Sequence, residues 1–153
     1  MSRATHERGM TLLVSLIFLL LLTLLGISSM NNATLQEKMS TSVRLRNQSF
    51  QMAEAALRAG ETAVQVTGYT LAVCASPCAP PPLSGQVAAA GTDASGATWV
   101  AANNGFYTVQ NLGTTTDAVN VTPAGTSATL YRVTAAGIVG TSRSVVESIY
   151  AKY

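Results

Sequence analysis

What most constrains this chain is an uncharged apolar run that begins directly after Arg8-Gly9. No Asp, Glu, Lys, Arg or His occurs between Gly9 and Gln36, and residues 10–27 are dominated by leucine. About 18 to 20 such residues at helical rise give roughly 27–30 Å, enough to cross the hydrocarbon layer of a bilayer. The short stretch ahead of the run carries Arg3, His6, Glu7 and Arg8. A basic flank feeding an apolar run of this length is a membrane-insertion signal, with everything after it on the exported side.

Three kinds of signal fit residues 1–27. A cleavable secretory signal has an apolar core of about 7–15 residues and then a small-x-small cleavage site. The run here is longer, and the small residues Gly26, Ser28 and Ser29 lead into more helix-compatible sequence. A signal anchor is the second reading, with Arg3 and Arg8 holding the N-terminus in the cytoplasm. The third is a prepilin signal: a short basic leader ending in glycine, cut between Gly9 and Met10 so that the apolar helix is kept.

Composition excludes several classes. The formal charge of +2 over 153 residues is too near neutral to suggest a nucleic-acid partner. His6 is the only histidine, and the acids Glu37, Glu54, Glu61, Asp93, Asp117 and Glu147 are scattered. No calcium loop, zinc motif, nucleophile elbow or phosphate-binding glycine loop is present, so no catalytic residue, metal or cofactor is expected. About 120 residues remain beyond the apolar stretch, enough for one small domain.

Residues 33–66 contain no proline and one glycine, Gly60. Apolar or small residues at Leu35, Met39, Val43, Phe50, Ala53, Leu57 and Val64 form a helical stripe, interrupted at Arg46, and most of it is expected to be core facing the following domain. Glu54 and Arg58 stand four apart, in the favoured order for a weak surface pair. Residues 26–32 read as a soft joint and not a stop. One continuous helix from Met10 to about Val66 would be roughly 85 Å long.

The chain resembles the N-terminal region of PilX-type minor pilins of the type IV pilus over residues 8–61. The residues that carry this are Arg8-Gly9, the run 10–27, Leu35, Glu37 and Met39, and then Arg46, Phe50, Ala53, Glu54, Ala56, Leu57, Arg58 and Glu61. The segment beginning at Tyr131 and the closing residues 145–150 also resemble the family's last two strands. The resemblance implies cleavage after Gly9 by the prepilin peptidase and N-methylation of Met10. It implies partnership with other minor pilins, the major pilin and the inner-membrane assembly machinery, and a structural role in priming pilus growth at or near the tip. One position departs from the general pilin pattern. The fifth residue after the cut, usually glutamate, is Val14. A buried carboxylate requires a partner, so its loss removes a subunit pairing and suits a subunit at the start or tip of a filament.

Beyond Val66 the composition changes. Cys74 and Cys78 flank a four-residue step, followed by Pro80, Pro81 and Pro82, which mark a loop. An oxidising periplasm favours a disulfide, and the spacing fits if the two Cα atoms come within about 7 Å; free thiols or a metal are the alternatives. Trp99 is the large anchor of a stretch rich in Ala, Gly, Ser, Thr and Asn, expected in the core or against the helix. Residues 106–110 read as a strand, 119–121 as a short one, 129–138 and 144–152 as an antiparallel hairpin joined by a turn at 140–143.

The expected fold is α+β and type IV pilin-like: one long N-terminal helix, membrane-embedded in its first half, packed against a small antiparallel sheet. The expected segments are a leader 1–9, a transmembrane or filament-core helix 10–32, an amphipathic continuation 33–66, and a periplasmic head 67–153 with a variable region 67–128 and a hairpin 129–153. The expected location is the inner membrane, N-terminus cytoplasmic and C-terminus periplasmic, then the pilus. A minor pseudopilin of type II secretion and a tip adhesin on a pilin stalk are the rival functions, and an unprocessed membrane protein is the third.

Overall fold

The computed structural model describes residues 4–75, 78–81, 89–93, 96–119, 123 and 125–153, with side chains from Gly9 onward. The leader residue Arg3, the side chains of His6, Glu7 and Arg8, and residues 120–121 of the expected short strand lie outside that description. The chain falls into two units, Met1–Val43 and Arg44–Tyr153. Helix α1 spans Ala4–Gln65 and runs through the poor helix formers of residues 26–32 without a break.

In the first unit every residue from 9 to 43 is exposed. Two hydroxyls well inside the apolar run are turned onto their own helix: Ser15 Oγ donates to the Leu12 carbonyl and Thr23 Oγ1 to the Leu20 carbonyl, both at 2.8 Å. Such back-bonding satisfies a hydroxyl where no water is at hand, so neither residue interrupts the apolar surface.

The second unit packs the C-terminal part of α1 against an antiparallel sheet in the order β1-β2-β3-β4-β5. The strands are β1 Gly91–Thr92, β2 Thr98–Ala102, β3 Gly105–Thr115, β4 Ala128–Val139 and β5 Ser142–Lys152. Two-residue turns set the register. Asn103 and Asn104 both adopt positive φ between β2 and β3, and Gly140 does so between β4 and β5. Turns of that hand match the twist of the strands they join, and asparagine and glycine tolerate the backbone required. A bulge between Asn111 and Gly113 shifts the β3–β4 register by one residue, and Asn111 Oδ1 accepts the Gly113 N–H at 2.8 Å.

The helix meets the sheet through small residues. Ser49, Ala53, Ala56, Gly60 and Val64 are buried, at spacings of four, three, four and four, which is one narrow face of a helix. Opposite them stand Gly105 and Tyr107 of β3 and Val133 and Gly137 of β4. The missing side chains allow helix and strand backbones to approach closely. Val64, Tyr131 and Val133 form the core proper, with Leu57, Tyr69, Val109 and Tyr150 packed around them.

This corrects the expected stripe. Ala53 and Val64 are core and Leu57 is half-buried, but Leu35, Met39, Val43 and Phe50 are 59%, 69%, 57% and 47% exposed. Phe50 follows Ser49 by one residue, about 100° around the axis, so a face chosen for small residues turns the large one aside. Glu54 and Arg58 form no ion pair among the described residues; the described pair joins Arg132 to Glu147, 3.5 Å apart.

Trp99 is buried as expected, on the sheet face away from the helix. It covers Ala136 with Phe106 and Val145, and its indole Nε1 donates to Asp93 Oδ2 at 2.9 Å. The hairpin β4–β5 lies where expected, its turn confined to Gly140 and Thr141.

Candidate functional site

The chemistry-bearing positions fall into two groups, one in each unit. In the first, Gly9 and Met10 lie within α1 and Gly9 has no neighbour within 4 Å of where a Cβ would be. Met10 and Val14 are exposed, and so is every large apolar side chain from Leu12 to Ile27. An unburied apolar surface of this length is unstable in water, because each fully exposed leucine forgoes about 1.5–3 kcal/mol relative to burial. It requires a lipid layer or neighbouring apolar helices. The segment passes the length and composition test for a membrane span. Leu35, Glu37 and Met39 continue the helix, exposed in turn.

In the second unit the family positions separate by direction. Ala53, Leu57 and Glu61, spaced by four, are drawn to the sheet. Glu61 Oε1 accepts the Ser148 hydroxyl of β5 at 2.6 Å, one of the few polar links between helix and sheet. Arg46, Phe50 and Arg58 are exposed, and Glu54 is half-buried.

Residues missed by sequence reasoning hold the ends of this contact. At one end Ser49 Oγ lies 3.2 Å from Ser142 Oγ and 2.8 Å from Ser144 Oγ, while donating to the Arg46 carbonyl. At the other, Lys152 Nζ donates to the carbonyls of Val64 and Val66 at 2.8 and 2.7 Å. The last turn of α1 has no basic residue of its own, so β5 supplies the cation its terminal carbonyls favour. The same ammonium stands 5.8 Å from the Tyr69 ring centroid, and Tyr69 meets Tyr131 edge-on at 5.6 Å. Burial raises the Tyr69 pKa, with Tyr131 and Tyr107 adding in the same direction.

Cys74 and Cys78 are joined in a disulfide, with Cα atoms 5.5 Å apart. The loop they close is tied to the sheet on both sides. The Cys74 N–H donates to the Asn111 carbonyl at 3.0 Å, and Asn111 Nδ2 to the Leu71 carbonyl at 2.7 Å. Gln110 Nε2 donates to the Ala79 carbonyl at 3.0 Å, and Arg132 Nη1 to the Cys78 carbonyl at 3.1 Å. Gln110 and Arg132 are cross-strand partners, so one rung of the sheet grips the loop. Nothing in the local sequence around Arg132 signals this partner. Among the described residues no group of three or more acidic, histidine or cysteine side chains is placed to hold a metal.

A long N-terminal helix with an unburied apolar run, whose later turns pack on an antiparallel sheet, is the architecture of a type IV pilin-like subunit. Residues 8–58, a third of the chain, match the family model described as PilX N-terminal, and over that segment the chain is similar to PilX-type pilins. The match supports a type IV pilus minor pilin, a structural subunit anchored in a membrane and associated with other pilus components. No curated protein and no solved structure matches the chain.

Proposed function

We propose that this chain is a minor pilin that primes assembly of the type IV pilus and occupies a place at or near its tip. The observation that carries the reading is the coincidence of the PilX N-terminal match over residues 8–58 with an apolar helical run whose side chains are exposed among the described residues. The protein enters the inner membrane with its N-terminus cytoplasmic and its C-terminal unit periplasmic. The prepilin peptidase cuts between Gly9 and Met10, and Met10 is then N-methylated. The exposed run from Met10 onward packs first against lipid and then against the helices of other minor pilins and the major pilin. Val14 supplies packing without the carboxylate that pairs neighbouring pilin subunits, which suits a position where no such pairing is made. In this reading the chain is the peptidase's substrate, and its own contribution is an assembly surface.

The test is an in-frame deletion, complemented in turn by the wild-type chain and by a tagged one, with pili counted and the tag localised by immunogold labelling. Loss of surface pili on deletion, with label at one end of the filament, is the expected result. Label spread along the shaft would contradict tip placement. Normal pili with defective protein secretion would point instead to a type II secretion pseudopilin.

A further inference from the structure

β5 closes one end of the sheet, so only one of its edges is paired. It matches β4 residue for residue from Val139↔Ser142 to Thr129↔Lys152, with no bulge, proline or glycine in its 11 residues. A strand of that length presents roughly 35 Å of edge. Exposed edges are ordinarily blunted by charges, proline or bulges, because their unpaired N–H and C=O groups recruit another strand. Here the polar side chains that could blunt it are turned back into the chain. Ser144 Oγ lies 2.8 Å from Ser49 Oγ, and the Ser148 hydroxyl donates to Glu61 Oε1 at 2.6 Å. Glu147 accepts the Thr134 hydroxyl and faces Arg132 at 3.5 Å, and Lys152 donates to the Val64 and Val66 carbonyls. From Ser144 to Lys152 the backbone makes no hydrogen bond outside the β4 ladder among the described residues. Ile149, on the face where Val145 meets the Trp99 cluster, is 52% exposed.

We propose that the free edge of β5 takes an extended segment of a different pilus subunit as a further strand of the sheet. The proposal rests on the reading of the chain as a pilus subunit and adds how a partner engages it. In strand addition the backbone groups supply affinity and the side chains at alternate positions supply specificity. An added strand sets one row of side chains beside Val145 and Ile149 and the other beside Val146 and Tyr150, so both rows are largely apolar. Direction argues against a second copy. β5 runs the same way as the part of α1 beside it, since Ser144 meets Ser49, Ser148 meets Glu61 and Lys152 meets Val64. Antiparallel pairing of two β5 edges would point those α1 segments in opposite directions, whereas subunits that enter one membrane by the same helix point the same way. Parallel pairing is the weaker ladder per residue, and it would put those segments on opposite faces of one sheet.

The test places a photo-crosslinking residue, p-benzoylphenylalanine, at Ile149 and separately at Ala151 of the full chain in piliated cells, with adducts mapped by mass spectrometry from sheared pili. The expected adduct joins both positions to one segment of an identified pilus subunit other than this chain. Moving the probe from residue 149 to residue 151 should shift the crosslinked residue of the partner by two, the period of a paired strand. With the probe at Ala151, Ile149→Lys should lower the yield per chain present in the pili about tenfold. Ile149→Thr, which keeps a β-branched side chain on the edge, should retain it. Adducts only to lipid or to a second copy, a crosslinked residue that does not move with the probe, or no adduct from chains that are present in the pili would each overturn the proposal. Absence of the wild-type chain from the pilus fraction would instead overturn the pilus-subunit reading, and this inference with it.

Discussion

Gly137 of β4 lies directly against Ser49 of α1: a Cβ at Gly137 would collide with the Ser49 carbonyl oxygen and stand 2.5 Å from the Ala53 nitrogen. Both obstacles are backbone atoms of a helix, which cannot yield as a side chain tip can. The predicted cost of Gly137→Ala is therefore at or above the upper end of the usual overpacking range, about 3 kcal/mol. At Gly60 the obstacles are side-chain atoms, Val133 Cγ1 at 2.6 Å and Tyr107 Cδ2 at 2.9 Å. Gly60→Ala also gains about 1 kcal/mol of helix propensity, so its net loss should be smaller, about 1 kcal/mol. Denaturant unfolding of the full chain in detergent, followed by Trp99 fluorescence, checks the ranking. A Gly137→Ala variant as stable as wild type would contradict the close helix–strand contact.

Lys152 closes the other end of the same contact. Lys152→Met keeps much of the apolar stem and removes the donor to the Val64 and Val66 carbonyls. The Val66 contact is exposed, so the loss falls on the part-buried Val64 carbonyl and should cost about 1 kcal/mol. Hydrogen exchange locates the loss: amides in the last turns of α1 should lose protection before those of β3 and β4. Uniform loss across the sheet would mean that Lys152 is not a cap.

Tyr69 gives a pH signature. Its folded pKa is raised, first by burial and then by Tyr131 and Tyr107, so folding favours the neutral phenol. That contribution is fully present below the ordinary tyrosine value of about 10, and it is lost as pH rises through that value toward the higher folded one. The Lys152 ammonium faces the same ring. Melting temperature should therefore fall between about pH 9 and 11. Tyr69→Phe should flatten the fall in both the wild-type and the Lys152→Met backgrounds. An unchanged slope in both would remove Tyr69 from the account.

How much of this was legible depends on what kind of signal each residue carries. The apolar run, the helix through residue 65 and the hairpin β4–β5 follow from hydropathy and period, which are properties of single segments. The helix face was misplaced because periodicity weights large apolar residues, whereas the packing here is decided by how closely two backbones approach. Gly60 was visible as an isolated glycine in a helical segment, and its reason lies in Val133 and Tyr107, more than 40 residues away. Lys152 and Arg132 read as ordinary strand cations, because a carbonyl partner from a distant loop leaves no mark on local sequence. Trp99 was legible as an anchor, but which sheet face it covers depends on register, set by the two asparagines of the β2–β3 turn.

The central claim is that Met1 through Gly9 form a leader and that the apolar helix is retained for assembly. Its most direct measurement is N-terminal sequencing and intact mass of the chain recovered from sheared pili. The account predicts a mature start at Met10 carrying an N-methyl group, found in the pilus fraction and absent from a strain lacking the prepilin peptidase. An intact Met1 confined to membranes would contradict it.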